Sequence, residues 1–206
     1  MILELDNVEL YFKSKLILSG IYLRAETGSI TTISGSNGSG KSSILRIIFG
    51  DLAPKYKLIR INGEPQLVAL YKSGMVKYLP QDTFVPKSIK VSKAFKIYGV
   101  KIEEFFEEFE DFEPKPTQKF SKLSKGEKRL IEIFLILKSK SNIVLLDAPF
   151  ENLSPINIEK VSKLILEEKD KKLIIATGSS IEELQRISDA HYNLASGHLK
   201  TTWKTY

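Results

Sequence analysis

Residues Gly35-Ser36-Asn37-Gly38-Ser39-Gly40-Lys41-Ser42 fit the pattern G-x-x-x-x-G-K-[ST] at every fixed position, and this octad restricts the fold more than any other stretch of the chain. Glycines let the backbone wrap closely enough for successive N–H groups to point inward, forming a nest for an anion. The nest works only where a strand delivers the chain to it and a helix starts directly behind it, adding the positive end of its dipole. Both flanks are present. Ser29 to Ser34 reads as a strand, and SSILRIIFG has the apolar spacing of a helix that begins with Ser42-Ser43 and stops at Gly50. The chemistry implied is phosphate binding, with Lys41 reaching the outer phosphates of a nucleotide and the Ser42 hydroxyl a Mg²⁺ ion. The competing reading is a glycine-rich turn with a chance lysine, and the flanking strand and helix argue against it.

Periodicity along the rest of the chain predicts where the loop sits. Residues 2–12 alternate apolar and polar, and Leu16 to Arg24 reads as a second half-buried strand. Asn62-Gly63 predicts a hairpin between Lys57–Ile61 and Gln66–Leu70, with a short strand at Met75 to Leu79. Val91 to Phe112 turns helical, and Pro114 and Pro116 close it. A helix from about Leu123 to Lys138 is followed by strand, helix, strand, helix at Ile143–Asp147, Ile156–Lys169, Lys172–Thr177 and Ser180–Ser188. A hairpin turned at Ser196-Gly197 ends the pattern. Strand alternating with helix, and β-branched runs such as IVLLD and LIIAT, imply a largely parallel sheet covered on both faces. The expected fold is therefore an α/β P-loop NTPase with an N-terminal antiparallel β portion and a small helical subdomain. Its 206 residues suit one globular unit, with a core lobe of residues 1–86 and 120–206 and the helical subdomain at about 87–119.

Three further signals are spaced along this frame. Asp147 ends the buried run Ile143-Val144-Leu145-Leu146, where a carboxylate is able to organise the metal held by Ser42; alone, such an aspartate is more often a cap. Gln81 follows the strand ending at Leu79-Pro80 and offers a neutral oxygen to Mg²⁺ and to water. Leu123-Ser124-Lys125-Gly126-Glu127 places the Ser124 hydroxyl and the Gly126 N–H at a helix start, where a capping box and an anion site use the same groups.

Taken in this order, with Leu123–Glu127 standing for a signature written LSGGQ, the chain resembles the ATP-binding cassette (ABC) ATPases over nearly its full length. The resemblance implies MgATP as ligand, held by Gly35 to Ser43 and by Mg²⁺ on Ser42, Gln81 and Asp147. It also implies a head-to-tail dimer with a second nucleotide-binding domain, in which Ser124 and Gly126 meet the γ-phosphate of the opposite subunit. An aromatic ahead of the phosphate loop stacks on adenine in this family: Phe12 is the first candidate and Tyr11 the second, with burial in the core as the alternative. The helical subdomain docks on a separate transmembrane permease subunit, which places the chain in the cytoplasm on the inner face of the membrane.

Several positions depart from the family. Its glutamate after the strand-ending aspartate is Ala148 here, its histidine after the last core strand is Gly178, the aspartate of the loop between them is Ser154, and the second signature glycine is Lys125. Binding groups persist while groups of the hydrolytic chemistry are missing, so hydrolysis is expected to be weakened. His191 and His198 fall in the terminal hairpin and read as exposed polar residues. The stripe Ile102, Phe105, Phe106, Phe109 and Phe112 reads as core, or, if exposed, as a patch for a partner helix.

Composition narrows the alternatives. No cysteine is present, which excludes a disulfide framework and a thiolate metal site. A net charge of +6 is compatible with nucleic acid or an anionic membrane, but the lysines are dispersed and not interleaved with stacking aromatics, so no nucleic-acid partner is expected. The N-terminus lacks the pattern of a signal peptide, and no apolar run reaches the roughly 20 residues of a membrane span. A soluble ABC-type ATPase acting on nucleic acid or ribosomes, and a non-catalytic nucleotide sensor, remain the competing functions.

Overall fold

A computed structural model describes residues 1–204. The first strands form an antiparallel sheet in the order β2 (Lys15–Glu26), β1 (Ile2–Phe12), β4 (Tyr56–Ile61), β5 (Glu64–Pro65). Between β2 and β4 the chain enters the second sheet through β3 (Ile30–Ser34), passes the glycine loop and continues as α1 (Lys41–Phe49). The remaining strands are β6 (Val76–Leu79), β7 (Ile143–Asp147), β8 (Leu173–Gly178), β9 (Ala190–Ala195) and β10 (His198–Lys204). They build a six-stranded sheet in the order β10-β9-β3-β8-β7-β6. Every pairing in it is parallel except that of β9 with β10.

The parallel strands are buried on both faces, and the alternation of their side chains explains why. In β7, Ile143 and Leu145 face α1 and the antiparallel sheet, while Val144 and Leu146 face the opposite core. Leu173 and Ile175 of β8 take the first side, Ile174 and Ala176 the second. A strand that must be apolar on both faces reads as an unbroken apolar run. The second core is completed by α4 (Lys125–Lys138), α5 (Pro155–Glu168) and α6 (Ile181–Gln185).

The helical stretch after residue 90 is two helices, α2 (Val91–Tyr98) and α3 (Ile102–Glu108), where the periodicity predicts one. Gly99, at φ +66°, stops α2 with a Schellman pair in which Gly99 N–H bonds Lys96 O and Val100 N–H bonds Phe95 O. The phenylalanine stripe is core. Phe105 and Phe109 are buried, and Phe105 meets Phe95 at 5.4 Å and Phe134 of α4 at 5.2 Å between ring centroids.

Two further expectations are corrected. Asn62-Gly63 does turn the chain after β4, but the returning strand is only Glu64-Pro65. Pro65 has no N–H to give the ladder, the Gln66 N–H still reaches Ile59 O, and Leu67 and Val68 stand exposed. His191 is buried, not exposed. The parallel pairing of β3 with β9 sets it opposite Thr32, so its Nδ1 lies 2.7 Å from Thr32 Oγ1 and its Nε2 2.9 Å from Ser34 Oγ. Burial pulls its pKa below the ordinary histidine value. His198 is exposed as expected.

Candidate functional site

The carboxyl ends of β3, β7 and β8, the N-terminus of α1 and the end of β1 surround one cavity of about 660 Å³. Ligand sites of open parallel sheets occupy this position beyond the strand ends. Asn37, Gly38, Gly40, Lys41, Ser42 and Ser43 line it from the phosphate loop, joined by Gln81, Asp147, Ala148 and Gly178. Residues separated by more than 130 positions in sequence thus share one wall.

The loop conformation depends on glycine at two close approaches. A Cβ on Gly35 would stand 2.5 Å from Leu194 O, and one on Gly40 2.9 Å from Leu18 Cδ2, with φ at +154° and +107° respectively. The Lys41 ammonium donates to Gly35 O at 2.7 Å and Ser36 O at 2.9 Å, bracing the loop from within. Burial lowers the Lys41 pKa from the ordinary lysine value, and the carboxylates of Asp147 and Glu151 oppose that shift. Ser39 Oγ is buried inside the loop against Gly35 without a hydrogen-bond partner and does not line the cavity.

Asp147 is held tightly. Thr177 Oγ1 donates to its Oδ1 at 2.6 Å and Tyr78 OH donates to its Oδ2 at 3.1 Å, and only 3% of the residue is exposed. Burial, and then the Asp147 charge, push the Tyr78 phenol far above its ordinary pKa, which keeps it a donor. Among the described residues no cluster of three or more His, Cys, Asp or Glu exists. The oxygen-bearing side chains beside Lys41 include Ser42, Gln81, Asp147 and Glu151, all lining the cavity. Such a set fits Mg²⁺ that arrives with phosphates and keeps its waters, and does not fit a resident all-protein metal site.

Phe12 stands at the rim, 72% exposed, with Tyr11 beside it, and both line the cavity. A large aromatic left in solvent at a cavity mouth answers the question of core packing: Phe12 is not core. Ser124 and Gly126 lie elsewhere. They line a second concavity of about 400 Å³ with Asn152, Ser154 and Lys160. Ser124 caps α4 through a full capping box, with Glu127 N–H on Ser124 Oγ at 3.2 Å and Ser124 N–H on Glu127 Oε2 at 2.6 Å. Gly126 has no room for a side chain, since a Cβ would meet Asn152 O at 2.8 Å.

Two residues escape a reading by periodicity because their charges sit on the buried side of α4. Arg129 donates to Pro80 O at 2.7 Å, Ala148 O at 2.7 Å and Asp147 O at 2.5 Å. One turn later, Glu132 Oε1 accepts from Phe84 N at 3.0 Å and Val85 N at 3.1 Å. Together they clamp the chain on both sides of Gln81 to the helix that carries Ser124. The Arg129→Met variant takes the guanidinium away from the Pro80, Asp147 and Ala148 carbonyls, the last of which keeps the Glu151 N–H, and should lose about 3 kcal/mol of stability. That corresponds to a melting temperature lowered by roughly 6–12 °C, read by circular dichroism. A shift under about 2 °C would contradict the clamp.

With this geometry in place, comparison with known proteins is direct. Residues 18–151 match the ABC transporter family. The chain is 27% identical to an uncharacterized ABC transporter ATP-binding protein of Methanocaldococcus jannaschii, over 95% of its own length and 74% of that protein's. It is 30% identical to the "Probable branched-chain amino acid transport ATP-binding protein LivF" of Archaeoglobus fulgidus, covering 91% of this chain and 86% of the relative. Other curated relatives are longer, and of two of them the chain spans 38% and 43%. Among solved structures, the ATP binding subunit of an ABC transporter superposes with a TM-score of 0.80 at 20% identity, over 98% of this chain and 90% of that one, which shows the shared fold. A phosphate loop, a strand-ending aspartate and a glutamine loop in one cavity, together with these matches, show that the chain belongs to the ATP-binding proteins of the ABC transporter family.

Proposed function

We propose that this chain binds MgATP at Gly35–Ser43 and serves an ABC transporter as a slow ATPase subunit. Phe12 stacks on adenine, Lys41 meets the outer phosphates, and Ser42, Gln81 and Asp147 would hold Mg²⁺. The observation that carries this reading is the convergence of phosphate loop, glutamine and aspartate on one cavity. Mg²⁺, when bound, neutralises charge on the phosphates. The chain's own contribution is to position: the loop N–H groups orient the triphosphate, and Thr177 and Tyr78 fix the Asp147 carboxylate.

The signature residues line a different concavity from the phosphate loop. A chain that carries both halves of a site apart from each other completes it by pairing head-to-tail with a second nucleotide-binding domain. Residues 87–119 then form the helical subdomain that docks on a separate permease subunit at the inner face of the membrane. No helix among the described residues is long and apolar enough to cross a membrane itself. Hydrolysis is weakened because Ala148 brings a methyl group, and Gly178 only backbone, to the cavity wall.

Sedimentation with and without ATP tests the pairing. Slow hydrolysis should let ATP accumulate a dimer of the wild-type chain, whereas Ser124→Arg should bind ATP and remain monomeric. Ser124→Arg dimerising as the wild type does would contradict the head-to-tail arrangement.

A further inference from the structure

Residues 148 to 151 form a turn with an unusual start. Ala148 sits at φ +49°, its N–H bonds Thr177 O at 3.0 Å, and Glu151 N–H closes back onto Ala148 O at 3.2 Å. Pro149 and Phe150 are buried beneath. The left-handed start and the buried pair send the next side chain back over the cavity, so the Glu151 carboxylate lines the same wall as Lys41, Ser42 and Gln81.

Among the described residues, the carboxylates that line this cavity are Asp147 and Glu151. Both oxygens of Asp147 accept from Thr177 and Tyr78, and its burial commits it to the floor. Glu151 is half-exposed, and its oxygens accept from one donor group, Gln81 Nε2, at 2.9 and 3.1 Å. A carboxylate carries about four acceptor positions, so Glu151 retains capacity toward a water molecule. That contact fixes the Gln81 amide beside the Glu151 carboxylate on the cavity wall. An attacking water needs two acceptors to fix both its hydrogens while its lone pair points at phosphorus.

Resting on the MgATP reading above, we propose that Glu151 is the carboxylate that orients the attacking water in this chain, from three positions further along than Ala148. In this step the water oxygen forms a bond to the γ-phosphorus. The bond from that phosphorus to the bridging oxygen breaks, and its electron pair leaves with ADP. The water's proton ends on the inorganic phosphate or in solvent, so water and ATP give ADP and phosphate with no other reactant.

Two substitutions separate this role from support of Gln81. Glu151→Gln keeps a side-chain oxygen for Gln81 Nε2 but removes the charge, while Glu151→Ala removes both. ATP affinity is measured by calorimetry, and single-turnover hydrolysis is measured above the rate of the Lys41→Ala control. Glu151→Gln should bind ATP within about threefold of wild type and hydrolyse it at least tenfold more slowly, the low end of what a positioned acid–base group supplies. In an Ala148→Glu background the loss from Glu151→Gln should shrink to under about threefold, because a second carboxylate then serves the water. Wild-type hydrolysis no faster than the control overturns the proposal. So does Glu151→Gln turning over like wild type while Glu151→Ala is slow, which would leave Glu151 a support for Gln81 alone. Failure of the wild type to bind ATP would instead strike the MgATP reading beneath it.

Discussion

Lys41→Ala is expected to weaken ATP binding by at least 100-fold while the chain stays folded. In the structure the ammonium lies between the Gly35 and Ser36 carbonyls, within the loop that would surround the phosphates. A hydrogen bond to a charged group is worth roughly 1.5–3 kcal/mol, so two of them to phosphate oxygens account for about 3–6 kcal/mol, or two to four decades in affinity. The fold should survive because Lys41 is only partly buried and the core beneath is made by Ile44, Leu45, Ile47 and Ile48. Equilibrium dialysis with labelled ATP, on a variant whose circular dichroism matches wild type, reads the loss. Unchanged affinity would remove the phosphate loop from the account.

The second large effect runs the other way. Ala148→Glu should raise the hydrolysis rate by about 10- to 100-fold, part of the 10² to 10⁴ that general acid–base assistance typically supplies. Ala148 already holds φ +49°, so another non-glycine residue there meets a backbone cost that alanine also bears. The gain is smaller than the full range because Glu151 already supplies a carboxylate to the cavity. Adding Gly178→His is the harder change. Its Cβ would come within 3.3 Å of the Leu184 side chain, which must shift by a few tenths of an ångström. A phosphate-release assay on metal-replete protein measures both, and an Ala148→Glu rate equal to wild type would show that residue 148 does not limit turnover.

Much of this site is legible in the sequence because its parts are local. The octad at Gly35, the helix stop at Gly50 and the apolar run into Asp147 each state their structure within a few residues, and the structure brings the loop and Asp147 to one cavity. What is not legible depends on non-local pairing or on a single dihedral angle. His191 looks like a polar residue of an exposed hairpin until β9 pairs with β3, which sets it against Thr32 and Ser34. Arg129 and Glu132 look like solvated charges on an amphipathic helix. They are buried because the backbone flanking Gln81 has carbonyls and N–H groups that leave the sheet at Leu79 and need partners. Glu151 could be seen only through the left-handed Ala148, a conformation that no propensity assigns to alanine.

Partial occupancy of the family's chemistry also shapes how the assembly would run. If the chain pairs head-to-tail as proposed, with Ala148 and Gly178 in place of the family's glutamate and histidine but Ser124 and Gly126 kept at a helix start, it would complete a partner's site better than its own. Pairing with a different cassette chain that retains a glutamate at the equivalent of Ala148 would then give one fast and one slow site.

All of this rests on MgATP occupying the cavity beside Lys41. The most direct measurement is calorimetric titration of MgATP into the wild-type chain. The account predicts saturable binding of one ATP per chain, lost on titration of Lys41→Ala. Absence of saturable binding to folded wild-type protein, or equal binding by the variant, would contradict it.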